Sequence, residues 1–220
     1  MKLRGATLMI TLAGATGVQA QKLTFDDQKA GEAPKGMTCA LTGKGRPGTW
    51  LIQQDEGAPS KPLVLAQTDA DATGYRFPHC VVDGLMARDL TLSVRFKPVS
   101  GAGDRAGGLV WRYRDADNYY VVRANALENN VVLYKVEGGR RTDLPLKGEG
   151  RTYGKKTAVP SGAWSTLGVN VRGNLFEVVF NGAKLYEVED ATFTGPGQVG
   201  VWTKADSVTH FDDLKVTVVQ

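Results

Sequence analysis

Two glutamates, Glu187 and Glu189, sit two apart in a run around Lys184–Val188 that alternates as a β-strand does. Residues two apart on a strand point to the same face. Paired carboxyl groups on one face are what hydrolysis of a glycosidic bond requires, one as acid and the other as base or nucleophile. The same spacing equally describes the solvent face of an outer strand. A second pair, Asp115 and Asp117, falls in Asp115-Ala116-Asp117-Asn118, where aspartate is favoured for turn geometry alone. Asp26-Asp27 near the start and Asp212-Asp213 near the end would meet if the terminal strands lie side by side. Clustered carboxylate oxygens suit Ca²⁺, so Asp27 and Asp212 are candidate ligands of a structural calcium. His79 and His210 are the only histidines and lie far apart. The chain has no H-E-x-x-H, no G-x-S-x-G, no phosphate loop and no dinucleotide fingerprint.

The richest surface chemistry lies in a hairpin. If Asp115 to Asn118 form a four-residue loop, Arg114 pairs with Tyr119, Arg112 with Val121 and Val110 with Arg123. Leu109, Trp111, Tyr113, Tyr120, Val122 and Ala124 then form an apolar face. Arg112, Arg114, Tyr119, Arg123 and Asn125 share the opposite one, and a turn at Asn129-Asn130 adds Tyr134 to it. Aromatic rings can cover the C–H faces of a sugar, while Arg and Asn donate to its hydroxyls. Guanidinium groups also match carboxylates bidentately. The expected ligand-binding residues are therefore Arg112, Tyr119, Arg123, Asn125 and Tyr134. The alternative is a wet sheet face with cross-strand ion pairs. A register slip of one residue would exchange the two faces. Trp50, Trp111 and Trp164 read as core; Trp202 reads as core or as a rim platform.

The elements that must hold these residues are strands. Leu63–Ala66, Leu90–Lys97, Gly108–Tyr113, Tyr119–Asn125, Val131–Val136, Thr166–Val171, Leu175–Asn181, Lys184–Val188, Gln198–Thr203 and Phe211–Val218 are short runs, many rich in Val, Tyr, Phe and Thr. Asn129-Asn130, Gly138-Gly139 and Asn181-Gly182 punctuate them, and Asn-Gly between alternating runs is a strong hairpin signal. The span from Ala30 to Lys61 reads as loops with one strand near Trp50. Short strands without a long 3.6-residue period predict an all-β fold, a two-sheet antiparallel β-sandwich.

The N-terminus reads as an export signal. Lys2 and Arg4 precede the uncharged run Ala6–Val18, and Val18-Gln19-Ala20 offers a peptidase small residues, so cleavage is expected after Ala20. Residues 1–20 are then a signal peptide and 21–220 a single sandwich domain, periplasmic or secreted. No other run is long enough to span a bilayer. Without Lys2 and Arg4 the formal charge falls from +4 to +2, and a nucleic-acid partner would call for a basic stripe that is absent. Arg140-Arg141 and Lys155-Lys156 read as solvated loop charges. An oxidising compartment favours a Cys39–Cys80 disulfide, the only pairing two cysteines allow.

Gly107-Gly108-Leu109-Val110-Trp111-Arg112-Tyr113-Arg114-Asp115-Ala116-Asp117-Asn118-Tyr119-Tyr120 resembles the central hairpin of concanavalin A-like, laminin-G-like jelly rolls. Trp164-Ser165-Thr166-Leu167-Gly168-Val169, Gly197-Gln198-Val199-Gly200-Val201-Trp202 and Phe211-Asp212-Asp213-Leu214-Lys215-Val216 resemble later strands of the same fold. Within that superfamily the chain resembles the 3-keto-disaccharide hydrolase-like domain family over roughly Leu23 to Val219. It departs from that family at Asn118-Tyr119-Tyr120, where a Gly-Tyr-Glu-like segment is common, and at Trp202 and Lys204, where a Gln and a His are common. The resemblance implies a jelly roll whose concave face meets glycans; related jelly rolls often hold structural calcium. The leading expectation is a lectin-like, carbohydrate-binding domain. The alternatives are a glycoside hydrolase-like enzyme using Glu187 or Glu189, and a structural or protein-interaction sandwich.

Overall fold

The computed structural model describes residues 19–219; residues 1–18, which carry most of the expected signal peptide, and residue 220 lie outside it. Among the described residues there are sixteen strands and no helix. The first sheet runs β14 (Ala183–Glu189), β13 (Leu175–Phe180), β12 (Ser165–Arg172), β6 (Asp89–Ser100), β16 (Val208–Val219), β4 (Leu63–Gln67), β3 (Trp50–Gln54), with β1 (Gln19–Leu23) also on β16. The second runs β10 (Arg140–Asp143), β9 (Asn130–Glu137), β8 (Asn118–Asn125), β7 (Ala106–Asp115), β15 (Gln198–Thr203), β5 (Arg76–Val82), β2 (Met37–Gly43), with β11 (Lys155–Lys156) on β9. Every pairing is antiparallel. The expected two-sheet sandwich is therefore present, with terminal strands β1 and β16 side by side. The span from Ala30 to Lys61 holds two strands, β2 and β3, where one is expected.

The main core lies between the sheets. Leu90, Leu92, Val94 and Phe96 of β6 and Leu167, Val169 and Val171 of β12 meet Trp111, Tyr120, Val122 and Val201 from the second sheet. Burying each such side chain contributes about 1.5–3 kcal/mol. The alternation of β6 is visible in its burial: Thr91, Ser93, Arg95 and Lys97 are half-buried between fully buried neighbours. Strands β7 and β8 lack it, because both of their faces are buried.

The second sheet is strongly curled. Five strand spacings separate β10 from β5, about 24 Å in a flat sheet. Yet the Arg141 guanidinium of β10 lies 4.4 Å from the ring centroid of Phe77 on β5. The face turned away from the core must therefore be concave. At one end its margins touch: Tyr75 Oη donates to Gly139 O at 3.2 Å and accepts from Arg141 N at 2.5 Å. Cys39 and Cys80 stand directly opposite each other and are disulfide-bonded, tying edge strand β2 to β5.

Candidate functional site

The hairpin register corrects the expected one. Val110 pairs with Val121, Trp111 with Tyr120 and Asp115 with Asn118, leaving Ala116-Asp117 as a two-residue loop. Asp115 Oδ1 closes that loop by accepting from Asp117 N at 2.8 Å and Asn118 Nδ2 at 2.9 Å. The surplus residues form a bulge between Trp111 and Asp115, with Arg112 at φ 49°. A bulge re-aims the side chains around it. Tyr113 is thereby moved to the hollow face, and Arg112 and Arg114 leave it. Arg112 is buried over the Phe176 ring, where its Nη1 donates to Phe193 O at 2.7 Å, its Nε to Arg88 O at 3.1 Å, and its Nη2 meets Asp89 at 3.3 Å. It pins loops at the sandwich edge and shares no surface with Arg123.

Tyr119, Arg123, Asn125 and Tyr134 do share the hollow face, all of them buried. Arg123 Nη2 donates to Glu128 at 2.7 Å and to Tyr134 Oη at 3.1 Å. Asn125 Nδ2 donates to Asp104 at 2.8 Å and Glu128 at 3.0 Å, and Lys204 lies 2.7 Å from Asp104. Burial pushes the Glu128 carboxyl up, but the Arg123 charge and the Arg123 and Asn130 hydrogen bonds outweigh it and hold it below its ordinary range. Tyr119 belongs to a relay: Trp202 Nε1 donates to Tyr119 Oη at 3.3 Å, which donates to Thr42 Oγ1 at 2.8 Å, whose proton goes to Ala116 O. His79 is assigned a tautomer by its partners. The Phe77 carbonyl at 3.1 Å can only accept, so Nδ1 carries the proton and Nε2 accepts from Tyr113 Oη at 3.3 Å. Burial pushes the His79 pKa down to about 4.

Tyr75, Phe77, Arg141 and Tyr153, which the sequence does not single out for the site, join these. Tyr75, Phe77, Arg141, Tyr134 and Tyr153 form a row. Tyr75 and Phe77 rings are 4.8 Å apart, Arg141 lies 4.4 Å from both the Phe77 and Tyr134 rings, and Tyr134 meets Tyr153 edge-on at 6.0 Å. Tyr75 and Tyr153 end the row and are 41% and 44% exposed. Both hold φ near +60°, at 60° and 57°. That conformation is costly for bulky residues and concentrates at functional sites. Gly43 makes room for it: a Cβ there would stand 1.9 Å from Tyr75 O. Arg141, expected in a solvated loop, lies on β10 opposite Val136 and so points into the hollow. Its pairing partner was the only signal, and the sequence does not display pairings. Trp202 is buried on the hollow face rather than between the sheets, and Trp164 is half-buried under Lys97 rather than in the core.

The remaining candidates are dispersed. Glu187 and Glu189 share the outer face of edge strand β14, as expected. Glu187 lines a cleft of about 310 Å³ with Asn170, Arg172, Leu175 and Glu177, and pairs with Lys184 at 2.6 Å. Glu189 is 57% exposed at its side chain and pairs with Lys147 at 2.5 Å. Asp212 is buried and accepts from Ser60 N at 2.7 Å, Ser60 Oγ at 2.6 Å and Asp213 N at 2.7 Å, while Asp27 lies exposed on the surface. Among the described residues no group of three or more His, Cys, Asp or Glu is placed to hold a metal.

No family model and no curated protein matches the chain, so the resemblance to 3-keto-disaccharide hydrolase-like domains rests on the residues quoted for it. Solved structures do match. Carbohydrate binding module CBM66 from Bacillus subtilis superposes with TM-score 0.63 at 20% identity, over 82% of this chain and 94% of that one. Cellulose-induced protein Cip1 gives 0.61 at 14%, over 89% and 96%. Domain 4 of AbnA, a GH43 extracellular arabinanase from Geobacillus stearothermophilus solved with arabinotriose, gives 0.56 at 14%, over 92% and 92%. At these identities the likeness establishes the fold alone, a β-sandwich of two antiparallel sheets, consistent with the concanavalin A-like type.

Proposed function

We propose that this chain is an exported carbohydrate-binding domain that takes its glycan along the hollow face of the second sheet. The row Tyr75–Phe77–Arg141–Tyr134–Tyr153 carries this reading: exposed tyrosines at both ends, held in a costly backbone conformation, offer flat apolar surface beside polar donors. Sugars need both kinds of surface. Sandwiches of the same fold that are named for carbohydrate binding, and one solved with arabinotriose, support it. The disulfide supports an extracytoplasmic setting.

The alternative, hydrolysis of glycosidic bonds, requires one carboxyl kept protonated beside another that is ionised. Glu187 and Glu189 are each held by a lysine, and their neighbour Glu177 is kept below its ordinary range by the Asn170 amide and by Lys184. No observation favours that reading.

A glycan array probed with the purified chain tests the proposal, with Tyr153→Ala and Tyr75→Ala as folded controls. Binding to at least one glycan class is expected, weakened about tenfold or more by each substitution. A folded chain that binds nothing on the array, or binding that neither substitution changes, overturns it.

A further inference from the structure

Within the hollow of the second sheet, one cation stands apart from the rest. Arg123 pairs with Glu128, and Lys204 with Asp104. Arg141 pairs with no carboxylate among the described residues. Its guanidinium instead lies against aromatic rings, 4.4 Å from Phe77, 4.4 Å from Tyr134 and 5.8 Å from Trp202. Its Nη1 is buried without a hydrogen-bond partner.

Cation–π attraction engages the ring face with the positive charge and satisfies none of the N–H donors. Five such donors radiate in the guanidinium plane. A half-buried guanidinium with an unfilled donor costs free energy that the protein recovers when an acceptor arrives. The acceptor that fits a planar fork is a planar anion taking two parallel N–H bonds. The rings meanwhile fix the fork in place, so little is lost in ordering it. The position of Arg141 midway along the row, between Tyr75 and Tyr153, puts this vacancy where a sugar stacked on either tyrosine would present its substituents.

Resting on the glycan-binding reading above, we infer that the ligand is an acidic glycan, and that Arg141 receives the carboxylate of a uronic-acid residue. Arg123, with Glu128 already on its fork, plays no such part; it donates to Tyr134 Oη and lies 5.8 Å from that ring.

The test uses uronic-acid oligosaccharides (galacturonate, mannuronate, hyaluronan and heparosan fragments), each beside its carboxyl-reduced counterpart, titrated into the chain by calorimetry. At least one acid should bind about tenfold or more tightly than its reduced form, a preference that Arg141→Gln removes. Arg141→Lys, which keeps the charge and loses the fork, should retain only part of it. Thermal melting of each variant confirms that it is folded. Equal binding of acid and reduced forms, or an acid preference that survives in Arg141→Gln, overturns the inference while leaving glycan binding in place. Binding of neutral glycans alone has the same meaning. A folded chain that binds no glycan, acidic or neutral, sinks both.

Discussion

The two sheets share one core, and their outer faces are built by opposite rules. The first sheet shows solvent Thr91, Ser93, Lys184, Glu187 and Glu189, with charges neutralised locally and side chains only partly covered. The second hides Phe77, Val81, Val110, Tyr119, Val121, Tyr134 and Trp202 on the side away from the core, a second cluster with its own hydrogen-bond relay. Stability alone asks each sheet to bury one face. The second sheet also orders its other face, with an arginine among aromatic rings, and that is the face to which the proposal assigns the glycan.

That contrast can be broken by substitution, beginning with the largest effects. Trp111→Ala, between the sheets, should cost about 3–5 kcal/mol in urea unfolding, and Trp202→Ala on the hollow face nearly as much. A cost below about 1 kcal/mol at Trp202 would mean that the second cluster is not packed as a core. Replacing both cysteines by serine should cost about 2–4 kcal/mol and loosen edge strand β2, read by faster amide exchange there. Acid should act on the hollow face through His79. Its folded pKa, about 4, is depressed below the unfolded value, so its contribution is complete above the ordinary histidine range and is lost as pH falls toward 4. Comparing the chain with His79→Gln at pH 7.5 and 4.5, the substitution should remove on the order of 2 kcal/mol of acid sensitivity. Glu187→Gln and Glu189→Gln, on the other outer face, should change stability by no more than about 0.5 kcal/mol. Any loss of glycan binding in those two would move the site to the first sheet.

The sequence carries the first sheet far better than the second face of the other. Leu90 to Lys97 alternates cleanly because one side meets the core and the other meets water, and Asn181-Gly182 makes its turn with both residues at positive φ, 48° and 82°. Leu109 to Tyr113 reads as the same kind of alternation, but both of its sides are buried, so hydrophobicity cannot reveal which way Arg112 turns. The bulge that turns it holds two surplus residues with no residue type to mark them. Tyr119, Arg123, Asn125 and Tyr134 were nevertheless placed together, because a register shift of two residues preserves faces where a shift of one exchanges them. Arg141 stayed hidden for a different reason. What distinguishes it is the curl that brings β10 to Phe77 of β5, a property of the whole sheet rather than of any local stretch.

The position of β16 carries a consequence for how the sheet is assembled. It lies between β6 and β4 and also holds β1, so it is an interior strand of the first sheet. It is also the last of the described strands in chain order. Without Val208 to Val219, β14-β13-β12-β6 and β4-β3 are two unjoined fragments, and β1 has nothing to pair with. The first sheet of this design cannot close until that strand is in place. Trimming that final strand would therefore abolish the sheet instead of fraying its edge.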